Sequence, residues 1–331
     1  MRASEKQGTI ASDDGLRHLI RKRFVSATYA EAVDLTGKMI IVTGATPGSL
    51  GFETARTLAS WGASVVITTR SNPNAALEEL RSRLQYADAR RRVDAHALDL
   101  SYTDSVASFV RWFVGAHGDK LDVLINNAGI HLDLLSRWTE PHLSDDGFEI
   151  QWRTNYLGTA HLTHLLLPLL EKSGQATGDA RIVNVVSHLY VKGSNEDLFE
   201  RTRPYNSWAA YGNSKLALMH MTSELQRRYT EKSHVQAYCL HPGSVFTNVA
   251  DKGLEGAGVI EKVRNALSPI EAFFLKTPEE GAQTQIHCAT YPRLTGGLYY
   301  VECQPVEARK DAQDTGIAAR LWAATEAWVE A

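Results

Sequence analysis

The chain contains the run Met39-Ile-Ile-Val-Thr43, then Gly44-Ala-Thr-Pro-Gly48-Ser-Leu-Gly51, then Phe52-Glu-Thr-Ala-Arg-Thr-Leu-Ala-Ser-Trp61. The first segment is continuously apolar, as in a parallel strand that is buried on both faces. The third has alanine and leucine at helical spacing. A glycine loop between a strand and a helix presents backbone N–H groups and the positive helix end to a phosphate. Glycine loops are also common in plain turns, but in this position the loop predicts dinucleotide binding.

The alternation of strand and helix continues along the chain. A second apolar strand at 63–69 completes a βαβ unit. Later segments repeat the two patterns: strands at 93–100, 121–125, 180–186, 235–240 and 298–301, and helices at 75–92, 103–117, 154–170, through Tyr211 to Leu225, and at 312–330. The order predicts an α/β fold of the Rossmann type, in which a doubly wound parallel sheet has one crevice at the carboxyl ends of its strands.

Composition limits the classes of partner. The chain has 331 residues, 44% of them hydrophobic, and a formal net charge of -3, which favours neither nucleic acid nor a membrane surface. Three cysteines, at 239, 288 and 303, are too far apart for a CxxC motif, and their odd number argues against a disulfide framework. No window approaches the ~20 apolar residues that a membrane span requires. We therefore expect a cytoplasmic protein with a small-molecule partner, no nucleic acid and no membrane span.

Two strand ends carry residues suited to the adenosine half of a dinucleotide. Arg70 and Ser71 follow the second strand, where an acidic residue would accept the ribose hydroxyls and a guanidinium fits a 2′-phosphate. Arg70 therefore favours NADP(H) over NAD(H), with a solvated arginine as the alternative. Asp99, before Leu100, ends the third predicted strand, where its carboxylate could accept from an adenine amine or cap a helix.

Tyr211 and Lys215 are the candidate pair for proton transfer. A spacing of four on a helix places the phenol and the ammonium on one face, although such pairs also occur by chance. A nearby cation, held by a cofactor as well, favours phenolate, so we expect Tyr211 to give or take a proton nearer neutral pH than a free tyrosine does. Ser187, at the end of the strand at 180–186, could donate a hydrogen bond to a substrate oxygen or cap a helix. Its surroundings do not form the GxSxG elbow of a serine hydrolase.

Several motifs stand in a recognisable order: Thr43-Gly44 with its loop, Asn126-Asn127-Ala128-Gly129, Asn155, Ser187, Tyr211-x-x-x-Lys215 and His241-Pro242-Gly243. Together they resemble the short-chain dehydrogenase/reductase family over about 34–328. Two further segments are similar to its retinol-dehydrogenase-like branch: Asp34-Leu-Thr-Gly-Lys38 and Lys276-Thr-Pro-Glu-Glu-Gly-Ala-Gln-Thr284. The long gap between Ser187 and Tyr211 is also typical of that branch.

The resemblance implies a role for each catalytic position. Tyr211 would give or take the proton, Ser187 would orient the substrate oxygen, and Lys215 would hold the nicotinamide ribose. Asn155 would support a water that links Lys215 to solvent. The chemistry would be hydride transfer between NADP(H) and a carbonyl carbon, without a metal. The implied cofactor contacts are Gly44, Thr46, Gly48, Ser49, Leu50, Gly51, Arg70, Ser71, Asp99, Leu100, Asn127, Ala128, Gly129, Tyr211, Lys215, Pro242, Gly243, Val245 and Thr247.

The glycine loop departs from the family pattern TGxxxGxG. Ser49 and Leu50 separate Gly48 from Gly51, so the loop has one extra residue, and Pro47 stiffens it. Two arrangements are open. Either Gly48 keeps its role and the following bend is longer, or Ser49 takes the place of the middle glycine.

The resemblance also suggests the organisation of the chain and its substrate. We expect an N-terminal extension at 1–36 and a catalytic domain at 37–331, with a substrate-covering segment at 248–275 and a C-terminal extension. Apolar residues in 248–275 suggest a lipophilic alcohol, aldehyde or ketone, although they could equally pack on the core. A non-catalytic dinucleotide-binding sensor or scaffold of the same fold is the alternative. Relatives often pair through the helices around Asn155 and Tyr211, which suggests a homodimer or homotetramer.

Overall fold

The computed structural model describes residues 28–243 and 276–329. Its strands and main helices are, in chain order, β1 (Met39–Val42), α1 (Leu50–Ser60), β2 (Ser64–Thr69), α2 (Pro73–Arg83), α3 (Ala87–Arg91), β3 (Val93–Ala97), α4 (Thr103–His117), β4 (Val123–Asn126), α5 (Ile150–Trp152), α6 (Gly158–Thr177), β5 (Ala180–Val185), α7 (Ser207–Ser233), β6 (Val235–His241), α8 (Pro278–Thr290), β7 (Tyr299–Val301), β8 (Gln304–Val306) and α9 (Thr315–Val329).

One sheet organises these elements. Its strand order is β3-β2-β1-β4-β5-β6-β7-β8, and all neighbours are parallel except β7 and β8. The order reverses between β1 and β4, which pair directly, with Val42 opposite Ile125. Ligands of doubly wound sheets bind outside the carboxyl ends of the strands at such a reversal. The predicted single-domain Rossmann-type α/β fold is confirmed.

Helices cover both faces of the sheet, and each face has its own apolar core. On one face α4, α6, α7 and α9 bury side chains such as Phe109, Leu166 and Leu225. On the other face α1, α2 and α8 bury Phe52, Leu80 and Ile286. Because both faces are covered, the strands read as continuous apolar runs and not as alternating ones.

The described part of the predicted N-terminal extension packs on the domain. Leu35 is buried, and its N–H donates to the Trp61 carbonyl at 2.8 Å. The Ala30 N–H donates to Gln283 Oε1 of α8 at 3.0 Å. At the other end of the chain, α9 packs against α7, and the Tyr156 and Thr325 hydroxyls are 2.7 Å apart. Among the helices that the structure describes, none is long and apolar enough to cross a membrane.

Some predicted element boundaries were wrong. The single helix predicted at 75–92 is two helices, because Leu84 leaves the helical conformation and buries its side chain. The predicted third strand ends at Ala97, before Asp99. The helix predicted at 154–170 extends from Ile150 to Thr177 and includes a π-helical turn at Arg153–Leu157. β5 and β7 are each one residue shorter than predicted, and α9 begins at Thr315, three residues later than predicted.

The antiparallel strand β8 was not predicted. It forms a hairpin with β7 through Glu302 and Cys303, which have φ values of 51° and 61°. Two-residue hairpins with positive φ at both positions usually contain asparagine, aspartate or glycine. Glu-Cys lacks that signal, and the three-residue strand is too short to show a pattern.

Candidate active site

The glycine loop joins β1 to α1 and accommodates its extra residue in a turn. The Ser49 N–H donates to the Thr46 carbonyl at 3.0 Å, with Pro47 and Gly48 between them and a φ of 77° at Gly48. Proline followed by a positive-φ glycine is the arrangement of a type II turn. Ser49 then caps α1, because its Oγ accepts from the Phe52 N–H at 3.2 Å. Leu50 begins the helix as its first residue.

Gly44 and Gly51 are the closely packed glycines of this loop. Gly44 has a φ of 69°, and a Cβ there would lie 2.8 Å from the Ala128 Cα. A Cβ on Gly51 would lie 2.5 Å from Asn127 Nδ2. A Cβ on Gly48 would meet nothing within 4 Å. Thus Gly48 serves the turn, and Gly44 and Gly51 let the loop approach β4.

Thr43 ties the carboxyl ends of β1 and β4 together. Its Oγ1 accepts from the N–H groups of Asn127 and Ala128, both at 3.0 Å, and donates to the Ile125 carbonyl at 3.3 Å. Asn127 Nδ2 donates back to the carbonyls of Thr43 at 2.8 Å and Gly44 at 3.1 Å. The Asn-Asn-Ala-Gly segment is therefore fixed beside the glycine loop, as its side-chain chemistry predicts.

Asn155 lies in the π-helical turn Arg153–Leu157, a local helix distortion that is frequent at functional sites. Its amide pairs with both backbone groups of Ile130: Oδ1 accepts from the N–H at 2.7 Å and Nδ2 donates to the carbonyl at 2.8 Å. Nδ2 also lies 3.1 Å from Ser214 Oγ. These bonds fix the chain after β4 against α7.

The structure brings Lys215, Tyr211 and Ser187 together at the carboxyl end of β5. Lys215 Nζ is buried and donates to the Val185 carbonyl at 2.9 Å. It lies 5.6 Å from the centre of the Tyr211 ring. A Cβ on Gly129 would lie 3.2 Å from this Nζ and 3.4 Å from Asn155 Oδ1, so the glycine leaves room for both groups. Ser187 Oγ accepts from the Leu189 N–H at 3.2 Å and so also caps a 3-10 turn.

Burial dominates the electrostatics of this cluster. It raises the pKa of the Tyr211 phenol to about 12, and the hydrogen bond with the Ser187 hydroxyl offsets only part of that rise. It lowers the pKa of the Lys215 ammonium to about 8. In the cofactor-free protein the Tyr211 pKa is therefore raised and not lowered, because loss of solvent is the largest influence on the phenol. The phenol keeps its proton at neutral pH.

The predicted adenosine contacts lie farther along the same edge. Arg70 and Ser71 are exposed just after β2, and Arg70 forms no ion pair within the described ranges. Asp99 Oδ1 accepts from the Ser101 N–H at 2.9 Å, so this carboxylate orders the turn before α4. The Leu100 carbonyl accepts from Arg153 Nη1 at 2.7 Å, and the Leu100 side chain is buried.

The last predicted cofactor motif follows β6. Gly243 has a φ of 88°, and a Cβ there would lie 3.0 Å from the Lys276 Cδ. His241, which precedes Pro242, has its Nε2 3.2 Å from the Nδ1 of His188. Val245, Thr247 and the segment 248–275 lie outside the described residues.

The residues that are present fit a dinucleotide. Gly44 and Gly51 keep the loop open where a side chain would collide with Ala128 or Asn127 after β4, and Gly129 leaves room for the side chains of Lys215 and Asn155. Lys215 supplies a buried ammonium, and Arg70 supplies an exposed guanidinium at the far end. Over 28–243 and 276–329, no group of three or more His, Cys, Asp or Glu side chains could hold a metal ion.

Comparison with known proteins identifies the class. A family model described as short chain dehydrogenase matches residues 38–257. The chain is 35% identical to human retinol dehydrogenase 11 over 311 residues, which cover 92% of this chain and 89% of the relative. It is 40% identical to a probable oxidoreductase of Streptomyces lividans over 311 residues, 88% of this chain and 97% of that one. The chain therefore belongs to the short-chain dehydrogenase family.

Within the family, the chain is retinol-dehydrogenase-like. Its relatives include mouse retinol dehydrogenase 12, 36% identical over 92% of this chain and 90% of the relative. Among solved structures, a Pseudomonas aeruginosa RhlG/NADP active-site complex has a TM-score of 0.59 and 25% identity, covering 80% of this chain and 94% of that chain. The protein is thus an oxidoreductase of alcohols or carbonyl compounds that uses a nicotinamide dinucleotide.

Several residues that shape the crevice had no predicted site role. Thr43 holds the chain at the carboxyl end of β4, and Ser214 accepts from the Asn155 amide. Gln151 accepts from the Leu132 N–H at 3.0 Å. His131 stacks on Tyr211 with ring centres 4.1 Å apart. The position of Thr43 before Gly44 was a visible signal. His131 had none, because the contact joins positions 80 residues apart.

Proposed function

We propose that this protein is an NADP(H)-dependent oxidoreductase that interconverts a lipophilic alcohol and its aldehyde or ketone, with Tyr211 as general acid or base. The observation that carries the proposal is the cluster of Ser187, Tyr211 and Lys215 beside the carboxyl end of β5. The match of residues 38–257 to a family of short-chain dehydrogenases supports it. Relatives named retinol dehydrogenase support a lipophilic alcohol or aldehyde.

Carbonyl reduction is the direction that we infer, because cells usually keep NADPH reduced. A Tyr211 pKa of about 12 keeps the phenol protonated at neutral pH, so that it can donate to a developing alkoxide oxygen. Ser187 would orient that oxygen through its hydroxyl. Lys215 would hold the cofactor ribose and stabilise the phenolate left after proton transfer, and Asn155 would support a water that links Lys215 to solvent. When bound, the nicotinamide supplies the hydride for the carbonyl carbon.

The cofactor would bind along the carboxyl ends of the parallel strands. We assign the pyrophosphate to the loop from Gly44 to Gly51 and to the amino end of α1, and the 2′-phosphate to Arg70 with Ser71. Asp99 and Leu100 would lie near the adenine, and Asn127 to Gly129 near the ribose. The segment from Pro242 to Thr247 would meet the carboxamide. The exposed guanidinium of Arg70 supports NADP(H), because a bidentate arginine matches phosphate geometry.

Turnover with the Tyr211→Phe variant tests this proposal. Oxidation of NADPH is followed against a panel of aliphatic and aromatic aldehydes and ketones. The variant is expected to lose about 10³-fold or more in kcat, because the acid is missing. Its Kd for NADPH should rise by no more than about tenfold, since at most one neutral hydrogen bond to the cofactor is lost. Tyr229→Phe, on the same helix but against Trp322, is the matched control and should keep full activity.

Other outcomes distinguish the alternatives. Full turnover by Tyr211→Phe would remove its catalytic role. Tight NADPH binding by the wild type without turnover of any carbonyl would favour a dinucleotide-binding sensor or scaffold. A wild-type preference for NADH would replace the NADP(H) assignment with NAD(H).

We extend the proposal to the organisation of the protein. Residues 1–36 would form an extension on a catalytic domain at 37–331, with 248–275 covering an apolar substrate. The three buried free cysteines support a reducing compartment such as the cytoplasm. A homodimer or homotetramer would pair through the helices around Asn155 and Tyr211, by analogy with relatives. Sedimentation equilibrium measures that state directly.

A further inference from the structure

His131 forms an aromatic stack with two residues of α7. Its ring lies almost parallel to that of Tyr211, with centres 4.1 Å apart and planes at 15°. It meets Trp208 edge to face at 4.7 Å and 89°. Trp208 and Tyr211 are three residues apart on one side of the helix, and His131 comes from the segment after β4. The contact therefore joins two independent elements at the phenol.

The backbone on both sides of His131 is held in place by hydrogen bonds. Ile130 is fixed at both its N–H and its carbonyl by the Asn155 amide. The Leu132 N–H donates to Gln151 Oε1 at 3.0 Å, and Gln151 Nε2 donates to the Ser207 carbonyl at 3.1 Å. The imidazole is thus carried by a segment that is attached to the helix on which Tyr211 stands.

The next residues repeat this attachment. Ser207 Oγ donates to the Asp133 carbonyl at 2.7 Å, and Trp208 Nε1 donates to the Leu134 carbonyl at 3.0 Å. Both donors lie in the first turn of α7. The segment 130–134 therefore cannot move from Tyr211 without breaking bonds at several positions.

Packing, and not a hydrogen bond at Nε2, sets the orientation of the imidazole. His131 Nε2 is buried and has no hydrogen-bond partner in the part of the chain that the structure describes. Burial, and secondarily the Lys215 charge, lowers the pKa of His131 to about 4, so the ring is uncharged at neutral pH. A neutral planar ring can lie on the phenol without adding a second cation beside Lys215.

We propose that His131 is a positioning residue for the proton-transfer step: its flat ring, held by the segment 130–134, fixes the Tyr211 phenol in the orientation that meets Ser187 and the substrate oxygen. This role rests on the proposed reductase function. It requires the flat face of the ring and not its nitrogen atoms. Two variants separate the ring face from the nitrogen atoms. His131→Phe keeps a flat ring without the nitrogens, and His131→Leu keeps a similar volume without a flat ring.

Kinetics of these variants test the proposal. His131→Leu should lower kcat by about three- to tenfold, the range of one aromatic contact, with little change in KM for the carbonyl or in Kd for NADPH. Its solvent deuterium isotope effect on kcat should rise, because proton transfer becomes slower relative to other steps. His131→Phe should restore kcat to within about twofold of the wild type. His142→Ala removes a histidine that stacks on Trp138 and serves as the matched control.

A spectroscopic measurement makes the test independent of turnover. Spectra of protein with ¹³C-labelled tyrosine rings, with the Tyr211 signal assigned by Tyr211→Phe, follow the mobility of this ring. Faster ring motion in His131→Leu and wild-type motion in His131→Phe are expected. Wild-type kcat, isotope effect and ring motion in His131→Leu would overturn the role of His131. Full activity in Tyr211→Phe would instead overturn the proposed function, while the ring-motion comparison still decides whether His131 holds the phenol.

Discussion

Lys215 and Arg70 are cations at the same edge of the sheet, but their surroundings differ. Lys215 is 3% exposed, its Nζ reaches a backbone carbonyl, and burial lowers its pKa to about 8. Arg70 stands exposed after β2 and forms no ion pair with any other described residue. A buried ammonium destabilises the folded chain but acts strongly on a nearby phenolate, whereas an exposed guanidinium is screened by water. Under the proposed function, Lys215 would serve the proton-transfer chemistry and Arg70 would serve the choice of cofactor.

The largest expected effect is at the buried end. Lys215→Met should lower kcat by about 100-fold or more, because the phenolate left by Tyr211 loses its stabilising cation. The same change should raise the thermal unfolding midpoint of the cofactor-free protein by about 2–5 °C at pH 7, because a buried charge is removed. Lys232→Met, at an exposed site on the same helix, is the control and should change neither quantity.

The stability gain should depend on pH. The folded-state pKa of Lys215, about 8, lies below the ordinary lysine value of 10.5, so burying its charge costs most below pH 8. As pH rises from about 8 towards 10.5, the folded wild type releases the proton and the cost disappears. Calorimetry at several pH values should therefore show the advantage of Lys215→Met shrinking over that interval. A gain that is constant across it would contradict the assigned cause.

Changes in the glycine loop, which would contact the cofactor between Lys215 and Arg70, should have an intermediate effect. Gly51→Ala should weaken NADPH binding by about tenfold or more, because its Cβ would lie 2.5 Å from Asn127 Nδ2 and force the loop from β4. Gly48→Ala, where the space is open and only the positive φ opposes a side chain, should cost about 1–2 kcal/mol of stability and weaken NADPH binding less than Gly51→Ala does. Isothermal titration with NADPH compares the two variants. Equal losses in both would show that contact with β4 is not what Gly51 provides.

The smallest effect is expected at the exposed end. Arg70→Ala should reduce the preference for NADPH over NADH by about tenfold, the size of an exposed charge-assisted contact, and leave kcat with saturating NADPH nearly unchanged. Ratios of kcat/KM for the two cofactors measure this preference. The control is Arg91→Ala, which removes an exposed arginine near the amino end of β3, away from the carboxyl ends of the strands. An unchanged cofactor preference would remove Arg70 from the 2′-phosphate site.

Much of this architecture was visible in the sequence. The apolar run before Gly44, the helix after Gly51 and the repeated alternation defined the doubly wound sheet, because strands covered on both faces must be apolar throughout. The spacing of Tyr211 and Lys215 and the order of the motifs gave the candidate site. Local boundaries were less predictable, since the burial of Leu84 and the hairpin at Glu302 and Cys303 depend on distant neighbours.

The sequence by itself determined the class of fold, the family and the residue types in the crevice, because periodicity and motif order are local properties of the chain. Only the tertiary structure decided how those residues behave. Burial, which no spacing reveals, raises the Tyr211 pKa in the cofactor-free protein. The turn that absorbs the extra loop residue and the stack of His131 on Tyr211 likewise depend on packing between elements far apart in the chain. These contacts form only when the folded sheet brings the carboxyl ends of its strands together.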